Sequence, residues 1–287
     1  VEKRCNLNII GLGAAGCNVA DKFTQYPQYD VYKIDVGLKG LKKNGIYAMP
    51  RQQSVEDYES NCPSLKNFLK NVSGEVIFIL CGAGAISGAS LRILETIKNC
   101  EISILYILPD VDLLSELSQL RNNVTFNVLQ QYARSGMFKA MRIVHNPSVE
   151  AIIGDVPVIG YYDRLNEVIA STMHMINVYK KTESVMDTFS QPVDFARIST
   201  IGIYNEKEKK ESLLFSLDNI REIVYYYSIP NDVLKSDGNL LKGITKKVKQ
   251  SSNAGEVKTS FGIFSTNYDQ KYCFIEAHTS FIQNNKN

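Results

Sequence analysis

The chain has 287 residues, 44% hydrophobic and 22% charged, with a net charge of +2. That is enough to bury a full core as one large domain or two unequal ones. Lys and Arg are spread too evenly to form a basic face, so direct nucleic-acid binding is not expected.

The six cysteines (Cys5, Cys17, Cys62, Cys81, Cys100, Cys273) lie far apart without CxxC spacing, and none of the three histidines falls at metal-ligand spacing from them or from one another. No metal site is therefore expected from protein ligands, and reduced thiols point to the cytoplasm. The longest apolar runs, such as Val76–Leu80, have the length of strands, so neither a membrane span nor a signal peptide is expected.

Through about residue 160, short β-rich runs alternate with helical patterns, which predicts an α/β fold with a mostly parallel sheet covered by helices. The predicted strands are Asn6–Ile10, Val31–Ile34, Glu75–Leu80, Ile102–Leu108 and Ala140–Val144, each nearly continuous in apolar residues. Strands buried on both faces read this way.

The first strand runs into Gly11-Leu12-Gly13-Ala14-Ala15-Gly16, a GxGxxG followed by a helical pattern. Glycines there let backbone N–H groups approach a phosphate, and the positive end of the next helix favours the anion. Asp35 closes the second strand where a dinucleotide fold would hold a ribose hydroxyl, so an NAD-dependent oxidoreductase stays open as an alternative. A second small-residue loop, Cys81 to Ser90, follows the strand Glu75–Leu80. Two such loops from neighbouring strands can grip one polyphosphate from both sides.

Asn146-Pro147 follows the strand Ala140–Val144. The longest helical pattern then runs from Tyr162 to about Thr188, with Leu165, Ile169, Met173 and Ile176 at helical spacing, and would span roughly 40 Å. Tyr162 and Asn166 are four apart and share a face, an aromatic surface beside an amide that can both donate and accept. Beyond Gln191-Pro192 the composition changes. The charged stretch Glu206–Glu211 reads as a solvated loop or helix end, followed by strand Ile220–Ile229, helix Asn231–Gln250, and strands Val257–Thr266 and Lys271–Phe281 joined through residues 267–270.

Taken in chain order, these segments resemble the tubulin/FtsZ superfamily, including its divergent relatives carried by phages and plasmids. Gly82, Ala83, Gly84, Ala85, Ile86, Ser87 and Gly88 lie over that family's GGGTGSG-like signature, keeping its glycines at 82, 84 and 88 and its hydroxyl at Ser87. Ala83, Ala85 and Ile86 depart from it. Gly13, Ala14, Ala15 and the trailing Asn18 are similar to the first phosphate loop, while Ile46–Ser73, where the family has a phosphate-sensing glycine segment, has no glycine.

The resemblance implies that Tyr162 stacks on guanine, that Asn166 bonds its edge, and that Asn146 lies beside the base. It implies GTP or GDP as ligand, with Mg2+, and self-association head to tail into filaments. Its architecture would be a Rossmann-like GTPase domain (1–160), a central helix (161–190) and a smaller α+β domain (191–287). The family's hydrolysis loop, of the type NxDxx(D/E), aligns with Pro192-Val193-Asp194-Phe195-Ala196-Arg197. Asp194 keeps the first acid as the candidate catalytic residue, but Arg197 stands where the second carboxylate should be. A guanidinium cannot serve as general base near neutral pH, although it could pair with a phosphate, so little or no hydrolysis is expected. A nucleotide-free structural member of the family is the remaining alternative, suggested by Ala85, Ile86 and the glycine-free stretch.

Overall fold

A computed structural model describes residues 7–39, 45–190, 195–205, 210–252 and 255–285. Its first half is a series of strand–helix units: β1 (Leu7–Leu12), α1 (Gly13–Lys22), β2 (Tyr29–Val36), β3 (Ile46–Met49), α2 (Val55–Ser60), β4 (Glu75–Leu80), α3 (Ser90–Thr96), β5 (Glu101–Leu108), α4 (Glu116–Arg134), β6 (Ala140–His145), α5 (Asn146–Ile153) and α6 (Tyr161–Lys180). The six strands pair in the order β3-β2-β1-β4-β5-β6, every pair parallel.

The continuous apolar runs follow from helices on both faces. Side chains alternate across a strand, so Ile10, Phe78 and Ile104 enter one core with Leu94 of α3 and Phe126 and Leu129 of α4. Their neighbours Ile9, Ile77 and Leu105 enter a second core with Val19 of α1 and Leu165, Ile169, Met173 and Ile176 of α6. The helical spacing read from the sequence is thus the stripe that α6 lays on the sheet.

The second half contains β7 (Met186–Asp187), β8 (Ile198–Asn205), β9 (Lys210–Leu213), β10 (Glu222–Pro230), α7 (Asn231–Ser236), α8 (Leu240–Gln250), β11 (Lys258–Thr266) and β12 (Tyr272–Thr279). β8 joins β6 through two residue pairs, Met141 with Ile198 and Arg142 with Ser199, and the sheet continues β8-β12-β10-β11-β7. Among the described residues, no helix is long and apolar enough to cross a membrane.

Four expectations need correction. The long helix ends at Lys180, not near Thr188, because Val185 donates to the Ile263 carbonyl and Met186–Asp187 pair with β11. The helix expected over Asn231–Gln250 is two helices, broken at Asp237-Gly238, where the Asp237 carboxylate accepts from the Asn239 N–H. The last two strands do not pair with each other. Both flank β10, β11 in parallel and β12 antiparallel, because β10 carries an apolar, tyrosine-rich run whose two edges are both covered. Finally, Lys210 and Glu211 belong to edge strand β9, paired with β8, where the Lys210 charge is exposed as suits an outer edge and the half-buried Glu211 carboxylate accepts from the Tyr225 hydroxyl.

Candidate functional site

Because β1, β4, β5 and β6 run the same way, the segments that follow them gather at one edge of the sheet. The chain moves outward from β1 to β2 and β3, then returns to β4 on the other side of β1. The connections after β1 and β4 therefore diverge, which opens the crevice where parallel α/β sheets take ligands.

Gly13 starts α1 with φ 71°, a left-handed conformation that any side chain would strain. Gly11 and Gly16 are required for closeness. A Cβ on Gly11 would lie 2.4 Å from the Gly16 carbonyl oxygen, and one on Gly16 2.3 Å from that of Ile79. α1 is thereby pressed against β1 and β4 with its unpaired first N–H groups at the crevice. Ala14 and Asn18 are exposed there, and Ala15 is half-buried.

The second loop turns through a 3₁₀ segment, Ala85–Ala89, into α3. Gly82 presses on α4, since a Cβ would meet the Tyr106 hydroxyl at 2.2 Å and Thr125 at 2.8 Å. Gly88 leaves room for the Val55 carbonyl, 2.1 Å from where its Cβ would stand, so the glycine-free stretch packs directly on this loop. Gly84 is exposed, and Ala83 and Ala85 are half-buried.

Ser87 is buried, and its hydroxyl donates to the Gly82 carbonyl at 3.0 Å, bracing the loop from inside. Ile86, also buried, is the contact between the two loops: its Cγ2 would be 2.9 Å from a Cβ on Gly13. Beneath the loop, the Nδ2 of buried Asn122 has no hydrogen-bond partner among the described residues.

At the far end of the crevice stand the expected base contacts. Asn146 begins α5, with Pro147 favouring the first turn, and is 8% exposed; Asn166 on α6 is 9% exposed. Neither side-chain amide is held by a hydrogen bond among the described residues, and neither is sealed from solvent, so both remain open to a ligand in the crevice. Tyr162 is half-exposed and meets Tyr161 edge-on at 5.1 Å.

Two ties hold this corner. Tyr161 donates to the Glu150 carboxylate at 2.6 Å, joining α5 to α6, and burial followed by that carboxylate pushes its pKa to about 12. Lys22 at the end of α1 pairs with Asp163 and, at 3.6 Å, with Glu167. Asp35, by contrast, is half-buried at the end of β2, where its carboxylate accepts from the Val36 N–H at 2.7 Å. That is a local capping role, a sufficient structural reason for an acid at this position.

Asp194 lies outside the described residues. The residues after it, Phe195–Arg197, precede β8 and so occupy the opposite edge of the sheet from the glycine loops. Phe195 is 72% exposed with φ 72°, a conformation rare for a bulky residue. The Arg197 guanidinium donates to the Phe138 carbonyl at 3.3 Å and packs on Gly136 rather than extending into solvent toward a phosphate.

A buried charge cluster was missed in the sequence. Glu276 of β12 is fully buried; Arg142 of β6 donates to it at 2.8 Å, Lys180 at the end of α6 pairs with it, and His278 lies 3.8 Å away. Burial alone would raise its pKa, but the Arg142 and Lys180 cations outweigh burial and hold the carboxyl far below its usual range. The available signal was a single charge inside each of two apolar strands. Two surface hollows, of about 660 Å³ beside β2 and β3 and about 820 Å³ against α8, lie away from the crevice and do not involve its loops.

Solved structures with the same arrangement decide the fold. A TubZ protofilament from Bacillus thuringiensis serovar israelensis superposes with a TM-score of 0.73 at 15% identity, over 96% of this chain and 86% of that one. CetZ from Methanosaeta thermophila gives 0.71 at 14% identity, over 96% and 87%. FtsZ from M. jannaschii gives 0.67 at 14%, over 95% and 87%. The fold is that of tubulin and FtsZ. No protein-family model and no curated protein matches the sequence. In the tubulin/FtsZ fold of this chain, both small-residue loops open from adjacent strands, and α6 supplies Tyr162 and Asn166 at its start.

Proposed function

We propose that this chain binds a guanine nucleotide in the crevice between β1 and β4 and assembles head to tail into filaments, with slow or absent hydrolysis. The observation that carries the reading is polarity. Two glycine loops and the solvent-reaching amides of Asn146 and Asn166 lie at one pole, and the segment Phe195–Arg197 lies at the other. Such ends can meet in a heterologous contact that repeats without closing. Exposed apolar residues at both poles, Val158 and Ile159 before α6 and Phe195 before β8, support that contact. So does the likeness to structures that are themselves protofilaments and a two-stranded filament of TubZ. A TubZ of type III plasmid segregation is also among them, which favours a plasmid- or phage-type member.

In this reading the first N–H groups of α1 and the second loop hold the phosphates, Tyr162 stacks on the base, and Asn146 and Asn166 bond its edge. Magnesium would be carried on the phosphates rather than caged by protein groups. Equilibrium binding of labelled GTP, GDP, ATP and NAD tests the ligand, with guanine nucleotides expected to bind tightest. Asn166→Ala is expected to weaken GTP binding by about 10-fold or more, the loss of one or two buried hydrogen bonds; unchanged affinity would exclude the assigned base pocket. Sedimentation with and without GTP tests assembly, and a chain that stays in the supernatant with every nucleotide refutes it.

Hydrolysis is limited in this reading because Arg197, bonded to Phe138, replaces a carboxylate at the pole that docks on the next subunit's nucleotide. Phosphate release is expected to be no faster from assembled protein than from dilute monomer. An acceleration of about tenfold on assembly, equivalent to about 1.4 kcal/mol of barrier, would show that the loop is competent.

A further inference from the structure

The outward face of α4 is a ridge of apolar side chains. Leu117, Leu120, Val124, Val128 and Tyr132 recur at spacings of three and four, and Leu113 before the helix and Met137 after it extend the line, with exposures of 36–65%. The opposite face of α4, with Phe126, Leu129 and Ala133, is already in the core. The ridge is therefore a second, largely apolar face, interrupted on one side by half-buried Arg121, whose long stem can lie along Leu117 and Val128 with its charge at the margin.

The helix runs along the side of the molecule. Its Asn122 and Thr125 support Gly82 of the second loop, while Gly136 and Phe138, beyond its end, hold Arg197 at the opposite pole. The ridge consequently runs along a flank, with only Met137 close to the pole that carries Arg197.

We infer that this ridge pairs with the same ridge of a second copy, the two α4 helices antiparallel about a two-fold axis beside Val124. Charge selects this occupant. Glu116 and Arg134 are exposed, 18 residues and so five full turns apart, and stand on the same side of the ridge. An antiparallel two-fold pairing places residues from matching flanks together, setting each Glu116 opposite the partner's Arg134, whereas a parallel pairing would not. Area agrees: the exposed parts of the seven apolar side chains come to roughly 600 Å² per copy, so pairing removes on the order of 1,200 Å², where specific interfaces begin. The exposed residues on that flank, Asn123, Asn127 and Gln131, supply a polar rim.

This pairing does not depend on nucleotide, so its test is separate from that of the proposed function. In analytical ultracentrifugation without nucleotide, the chain is expected to dimerise, and Leu120→Glu, at an exposed position, to raise the dimer dissociation constant at least about tenfold. Val124→Cys is expected to form a disulfide-linked dimer under mild oxidation, against the unsubstituted protein as control for its native cysteines. Glu116→Arg should weaken the dimer, and adding Arg134→Glu should restore it. A chain that is monomeric at about 100 µM without nucleotide, a dimer indifferent to Leu120→Glu, no Val124→Cys cross-link, or no rescue by the second charge reversal would each overturn the antiparallel pairing.

Discussion

Arg142→Ala is expected to cost about 3–5 kcal/mol of folding stability, because it leaves a fully buried carboxylate without its main partner. At a few degrees per kcal/mol, the melting temperature should fall by roughly 10 °C. The loss belongs to a buried carboxylate left with Lys180 alone more than to the Arg142 pair itself. Arg142→Met and Lys180→Met combined with Glu276→Leu are therefore expected to recover most of it, since replacing all members of a buried ion cluster by apolar groups is often neutral. A triple variant as unstable as Arg142→Ala would mean that the cluster itself holds β6, α6 and β12 together.

The same cluster sets a pH dependence with a definite sign. Glu276 ionises in the folded protein far more readily than in the unfolded chain, so its contribution is complete above the unfolded carboxyl pKa of about 4.3 and is lost as pH falls toward the lower folded value. His278 adds to this at higher pH. Burial holds it below its ordinary value despite the nearby Glu276 carboxylate, so the unfolded state takes up a proton first as pH falls through about 6.5, and stability declines there as well. Calorimetry should show melting temperature falling in two stages on acidification, the lower stage shallower in Arg142→Ala.

Gly16→Ala should be the more damaging of two single-methyl changes to glycine. Its new Cβ would lie 2.3 Å from the Ile79 carbonyl oxygen, a backbone atom that cannot yield without moving α1 off β4. A cost of about 1–3 kcal/mol is expected from the overpacking, together with weaker nucleotide binding because the first N–H groups of α1 move with it. Gly243→Ala offers the contrast. It lies within α8 with nothing within 4 Å of the new methyl, and should stabilise the protein by up to about 1 kcal/mol. Thermal melts of both, with GTP titrations of the first, separate a steric role for Gly16 from a purely conformational one.

The parallel half was legible because helices cover both of its faces and burial wrote itself into continuous apolar runs. The glycines showed where the chain turns, but not their separate duties. Gly13 answers to a backbone angle, whereas Gly11, Gly16, Gly82 and Gly88 answer to atoms from other segments. Ser87 keeps a hydroxyl in the loop, and only the fold shows that it donates to the Gly82 carbonyl. The second half was harder to read because its pairings are set by residues distant in sequence. A four-residue link between two strands suggests a hairpin, yet β10 separates them. Arg142 and Glu276 are each a lone charge in an apolar strand, and only the fold reveals that they belong together.

The strand order in the second half of the sheet has a consequence for how the molecule is made. β12 is the last strand in the chain but sits between β8 and β10, its edges paired to both. On a translating ribosome the parallel half can close early, while β8 and β10 wait with open edges that invite mispairing with other chains. Arg142 waits too, facing an incomplete cluster until Glu276 emerges with that strand. A nascent chain stalled before residue 272 is thus a half-built sheet with a bare cation at its seam, the state in which this protein would most need a chaperone.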